Sequence, residues 1–131
     1  MTHTESILVI EDDLFMQDVV KLILEQEGYN VVSACSGNEA LEILRSNCKL
    51  SLILLDQGLP DMTGFMFLDH KNSEQLCPST PVVFFSAAAN LNQSALPTGV
   101  VASVSKPFQI DTLLSTIQKS KKAEPDFSPN F

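Results

Sequence analysis

The sequence predicts an α/β fold, an open parallel sheet covered by helices on both faces. Three observations carry this. Five short apolar runs recur along the chain: "SILVI" (6–10), "YNVVSA" (29–34), "LSLILL" (50–55), "TPVVFFS" (80–86) and "VVASV" (100–104). They are apolar nearly throughout rather than alternating, which suits strands buried on both faces. Helical or mixed segments separate them, and strand–helix alternation is the pattern of a parallel sheet with crossover helices.

The elements follow in order. Between the first two runs Phe15, Val19, Leu22 and Ile23 recur at helical spacing, and Gly28 offers a C-terminal stop. After the second run Ser36 and Glu39 have the Ser-x-x-Glu spacing of a capping box, with Ala40, Leu41 and Leu44 following on one face. A short helix is expected from about Gly64, with Phe65, Phe67 and Leu68 facing inward. The last helix is expected over about 110–119, with Leu113, Leu114 and Ile117 as its apolar side. "AAANLNQSALPTG" after the fourth run is small, Asn-rich and closed by Pro97 and Gly99, so a short or irregular helix is expected there. "KKAEPDFSPNF" has no periodicity and two prolines. Residues 1–119 are therefore expected to form one domain and 120–131 a disordered tail. No internal repeat or second domain is legible.

Composition narrows the function. The chain has 131 residues and a formal net charge of −8, with acids spread along its length. That field argues against direct nucleic-acid binding, which needs basic patches. No apolar stretch reaches the roughly 18 residues of a membrane span, and "MTHTES" lacks the basic and apolar regions of a signal peptide. A cytoplasmic protein without membrane insertion is expected. Cys35, Cys48 and Cys77 form no CxxC pair and have only His3 and His70 beside them. The expectation is three reduced packing cysteines rather than a zinc site.

The third run raises the functional question, because the most buried kind of strand ends on a carboxylate, Asp56, with Gly58 and Pro60 breaking the run behind it. In open parallel sheets ligands bind outside the carboxyl ends of the strands. Glu11, Asp12 and Asp13 follow the first strand, Ser86 ends the fourth, and Lys106 and Pro107 follow the fifth. If strands one, three, four and five are neighbours, these groups converge on one rim. Carboxylates brought together there repel unless a cation joins them, and with a backbone carbonyl they form the hard-oxygen set preferred by Mg²⁺. A lysine and a hydroxyl complete a phosphoryl site, and an aspartate can itself be the nucleophile.

"ILVIEDD" (7–13), "LILLDQGLPDMTG" (52–64), "VVFFSA" (82–87) and "KPF" (106–108), in this order and at successive strand ends, make the chain similar to the receiver domain of two-component response regulators. The resemblance spans residue 6 to about 119. It implies a flavodoxin-like sheet of order 2-1-3-4-5, an arrangement for which a chemotaxis receiver is a standard example. It makes Asp56 the phosphoacceptor and assigns Mg²⁺ to Glu11, Asp12, Asp56 and the carbonyl of Gly58. It makes Ser86 the hydroxyl and Lys106 the lysine that bond the phosphoryl group, and implies a cis peptide between Lys106 and Pro107. The implied partners are a histidine kinase or phosphotransfer protein and a downstream protein target. No output domain is read after the receiver, so a stand-alone receiver, not an enzyme in its own right, is expected. Ser103 stands where many receivers carry a switch aromatic, so coupling is expected to run through the loop after Ser86 instead.

Blander and rival readings exist. Glu11, Asp12 and Asp13 are also the residues that would cap a helix; Phe65, Phe67, Met62 and Met66 read as packing. The alternative function is a pseudo-receiver, a protein-binding module that phosphorylation does not switch. A metal-dependent phosphohydrolase would need a second aspartate two residues after Asp56, where Gly58 stands. An FMN-binding protein would need a Ser/Thr-rich loop after the first strand, where the acids stand.

Overall fold

The computed structural model describes residues 5–86 and 96–121. Five strands, β1 (Ser6–Ile10), β2 (Asn30–Ala34), β3 (Leu52–Leu55), β4 (Val82–Ser86) and β5 (Val100–Ser105), form one parallel sheet of order β2-β1-β3-β4-β5. The helices between and after them are α1 (Leu14–Gln26), α2 (Gly37–Ser46), α3 (Gly64–Ser73) and α4 (Ile110–Ser120). The expected irregular helix falls mostly on 87–95, and the expected tail on 122–131, outside the described residues.

The strands are apolar because each side chain meets one of two cores. Ile7, Val9, Leu52, Leu54, Val83, Phe85 and Val104 pack with α1 and α4 through Val20, Leu24, Leu113 and Ile117. Leu8, Ile10, Ile53, Leu55, Val82 and Phe84 pack with α2 and α3 through Ala40, Leu41, Leu44, Phe67 and Leu68. Successive residues of Ile7–Ile10 in β1 and of β3 thus alternate between two buried layers, which leaves no position there for a polar side chain.

Local signals explain the helix ends. The N–H groups of Phe15 and Met16 donate to the Asp13 carboxylate, which caps α1. Gly28, at φ 91°, ends it: its N–H donates to the Glu25 carbonyl and that of Tyr29 to the Leu24 carbonyl, a Schellman arrangement. Ser36 accepts from the N–H of Glu39, and the Glu39 carboxylate accepts from the N–H of Cys35.

Two expectations need correction in their details. In α1 the core takes Gln17, Val20 and Leu24, whereas Phe15 and Leu22 are 75% and 58% exposed. The helix carries two apolar stripes, and the one containing the buried amide of Gln17 faces the sheet. In α3, Phe67 and Leu68 are buried as expected, but Phe65 is half exposed and lies edge-on against Phe84, with ring centroids 5.5 Å apart.

The cysteines also depart from expectation. Cys48 and Cys77 are joined in a disulfide, with Cα atoms 5.2 Å apart, and Cys35 is free and exposed. The connections α2–β3 and α3–β4 run side by side at the amino end of the sheet. This brings residues 29 apart in sequence within bridging range.

Candidate functional site

The parallel ladders place the site. Pairing continues one step past the strands: the N–H of Glu11 donates to the Ala34 carbonyl, that of Asp56 to the Ile10 carbonyl, and that of Lys106 to the Ser86 carbonyl. Each functional residue is thus held by its backbone at the carboxyl rim. Glu11 is 1% exposed, Asp56 7% and Ser86 6%, among the few buried polar residues of the chain.

Carboxylate oxygens of Glu11, Asp12 and Asp56 all lie within 4.8 Å of one another. The Lys106 ammonium ion-pairs with Glu11, stands 3.7 Å from Asp56 Oδ2, and lies over the Phe85 ring at 4.6 Å. Phe85 is itself braced edge-on by Phe108. The peptide between Lys106 and Pro107 is cis. One ammonium among three carboxylates leaves the pocket negative, and hard oxygens in a small space are the donor set of a hard divalent cation. Among the described residues, these three are the acids gathered closely enough to hold a metal. Asp13, read with them in the sequence, is the cap of α1 instead, its backbone N–H donating to Glu11 Oε2 at 3.2 Å.

The loop after Asp56 is closed on itself and fastened to α2. Gly58 bridges Thr63 across the loop, and the Gly64 N–H donates to the Gln57 carbonyl at 2.9 Å. A Cβ on Gly64 would stand 3.1 Å from Gln57 Cα, so a side chain there would press on the backbone of the residue next to Asp56. Asp61 accepts from the N–H groups of Gly37 and Asn38 at 2.9 and 2.8 Å. Burial raises its pKa, but these donated N–H groups outweigh that and hold it below the usual carboxylate value.

Sequence reasoning missed one supporting residue. The buried Gln17 amide donates to the carbonyls of Glu11 (3.0 Å) and Ala34 (3.2 Å), tying α1 to the start of the acidic turn. Its signal was present: Gln17 shares its helix face with Val20 and Leu24, where an apolar residue is the norm. Ser103 pairs in register with Phe84 on β5 and is half-buried.

Comparison with known proteins agrees with this geometry. Residues 7–118 match the response regulator receiver domain family. The transcriptional regulatory protein ZraR of Escherichia coli K12 is 34% identical over 123 residues, 92% of this chain and 27% of ZraR. The transcriptional regulatory protein CrdR of Helicobacter pylori is 32% identical, over 97% of this chain and 60% of CrdR. The chain therefore spans less than two-thirds of the length of either relative. A CheY-like response regulator receiver domain protein from Methanospirillum hungatei JF-1 superposes with a TM-score of 0.79 at 32% identity, covering 89% of this chain and 93% of that one. Its motifs, its sheet order and these matches agree: the chain belongs to the response regulator receiver domain family.

Proposed function

We propose that this receiver domain accepts a phosphoryl group on Asp56 from the phosphohistidine of a histidine kinase or phosphotransfer protein, and signals by altered protein–protein interaction. The observation that carries the reading is the convergence of Glu11, Asp12, Asp56 and Lys106 at one end of the sheet. An Asp56 carboxylate oxygen attacks phosphorus; the O–P bond forms as the donor's N–P bond breaks. The imidazole nitrogen keeps the electron pair and takes up a proton. In this reading Lys106 and Ser86 donate to the phosphoryl oxygens as charge builds on them. The clustered carboxylates fit Mg²⁺, so Glu11, Asp12 and Asp56, with the Gly58 carbonyl, are the residues that would hold it. Bound there, Mg²⁺ supplies the positive charge that lets a phosphoryl group approach a carboxylate.

Self-modification rather than turnover of an external substrate, and a cytoplasmic setting without direct contact to nucleic acid or membrane, belong to the same reading. The chain's net charge of −8 supports the lack of nucleic-acid contact, and none of the described helices is long and apolar enough to cross a membrane. Intact-mass measurement after treatment with acetyl phosphate and Mg²⁺ tests the proposal. Wild type should gain one phosphoryl mass and Asp56→Asn none. An unmodified wild type, also silent to beryllofluoride, would favour the pseudo-receiver.

A further inference from the structure

Far from Asp56, at the amino ends of β4 and β5, a cavity of about 390 Å³ opens between the end of α3 and the turn before β5. Lys71, in the last turn of α3, lines it together with Asn72, Gln75, Leu76, Pro78 and Thr98. Lys71 is 2% exposed, yet among the described residues it has no carboxylate partner. Its ammonium donates once, to the Cys77 carbonyl at 3.3 Å. An ammonium has three hydrogens to place, and a buried one without a counter-charge is costly. Burial accordingly lowers the Lys71 pKa.

The lining is also unusual for this chain. Acids outnumber bases 16 to 8 over the sequence, yet among the described residues no acid lines this cavity and a lysine does. Asn72, Gln75 and Thr98 bring neutral donors, and Leu76 and Pro78 an apolar wall. A pocket of a few hundred cubic ångströms, with an apolar wall and a few polar groups, is the usual form of a small-molecule site.

From the buried unpaired lysine and the acid-free lining we infer that this cavity is a second binding site, one that takes a small organic monocarboxylate. The carboxylate pairs with Lys71 and the apolar part lies against Leu76 and Pro78. One buried ammonium offsets one negative charge, so a monocarboxylate matches it while a phosphate dianion leaves a charge uncompensated. The site shares no residue with the acidic rim, so the inference stands or falls independently of phosphorylation at Asp56.

The experiment is an NMR titration of the ¹³C,¹⁵N-labelled chain with benzoate, acetate and inorganic phosphate. Benzoate should give saturable amide shifts in 71–78 and 98–99, with the Lys71 Cε resonance following the same isotherm. Acetate should bind the same residues at least tenfold more weakly, for want of an apolar part, and phosphate should be weaker than benzoate. Lys71→Met should raise the benzoate Kd at least tenfold while keeping the remaining amide spectrum. If that variant does not fold, the wild-type Lys71 Cε resonance still decides. A Cε signal unmoved by saturating benzoate, benzoate binding unchanged in a folded Lys71→Met, or phosphate binding more tightly than benzoate would each overturn the inference.

Discussion

Replacing Lys106 by methionine should tighten divalent-cation binding while blunting the response to a phosphoryl mimic. The Lys106 ammonium is paired with Glu11 and stands 3.7 Å from Asp56. The Lys106 and Asp56 charges, 3.7 Å apart, attract by about 1–4 kcal/mol for effective dielectric constants from roughly 80 down to 20. Methionine keeps most of the volume but removes the charge, so the carboxylates lose one attraction of that size and their mutual repulsion stands uncovered. A cation entering the variant recovers both. The expected gain is about 1–2 kcal/mol, or roughly a tenfold lower Kd for Mg²⁺. The chain has no tryptophan, so the assay is the amide shifts of residues 11–13 and 56–58 during a Mg²⁺ titration. Thermal melts at matched Mg²⁺ would show the same coupling as a larger metal-induced stabilisation in the variant. With beryllofluoride the order should reverse, because the lysine's charge is needed once phosphoryl-like charge is present. An Mg²⁺ affinity that is unchanged or weaker in Lys106→Met would refute the view that lysine and metal compete for the same carboxylates.

Gln17→Ala should cost about 2–3 kcal/mol in urea unfolding with an unchanged m-value: the Ala34 carbonyl keeps the Glu11 N–H, but the Glu11 carbonyl loses its buried donor. Protein prepared without reductant should show one reactive thiol, Cys35, and three after reduction and unfolding, as counted by a thiol reagent. Asp61, whose pKa is lowered in the fold, should contribute stability above its ordinary pKa of 3.8 that is lost as pH falls through the lower folded value. The stability gap between wild type and Asp61→Asn in denaturant titrations should therefore be full at pH 7 and shrink below about pH 4; a gap that widens on acidification would contradict the assigned bonds.

Much of this was legible because buried parallel strands write an unambiguous pattern. "LILL" has no polar face to turn to solvent, and the carboxylate at its end falls on the rim where open parallel sheets bind ligands. What escaped the sequence depends on contacts between distant segments. Periodicity showed that α1 is a helix but not which of its two apolar stripes the sheet takes. That choice involves Gln17 reaching carbonyls of Glu11 and Ala34, and Ala34 lies on another element. The Cys48–Cys77 pairing depends on two loops meeting at the sheet's amino end, and no spacing rule reports it. The burial of Lys71, 2% exposed in the last turn of α3, is likewise a tertiary fact that helix periodicity does not report.

The register explains why the site assembles at all. Ile10 pairs with Leu55, and Ser86 with Ser105, so Glu11 emerges beside Asp56 and Lys106 one step past Ser86. Glu11 stands two residues beyond Val9, Asp56 two beyond Leu54, and Lys106 two beyond Val104. All three of those predecessors belong to the core shared with α1 and α4. Side chains along a strand alternate between faces, so the two acids and the lysine continue one buried column past the point where the core ends. A slip of one residue in β1, β3 or β5 would turn its functional group to the opposite face and move it by about 3.3 Å. It would also exchange that strand's apolar residues between the two cores, each into a space shaped by its neighbours' side chains. The apolar contacts that hold each strand in register are therefore the same contacts that aim its functional residue. A core substitution at Val9, Leu54 or Val104 acts on the site through its own strand, whereas one at Leu8 or Ile53, on the face toward α2 and α3, reaches it only through the backbone.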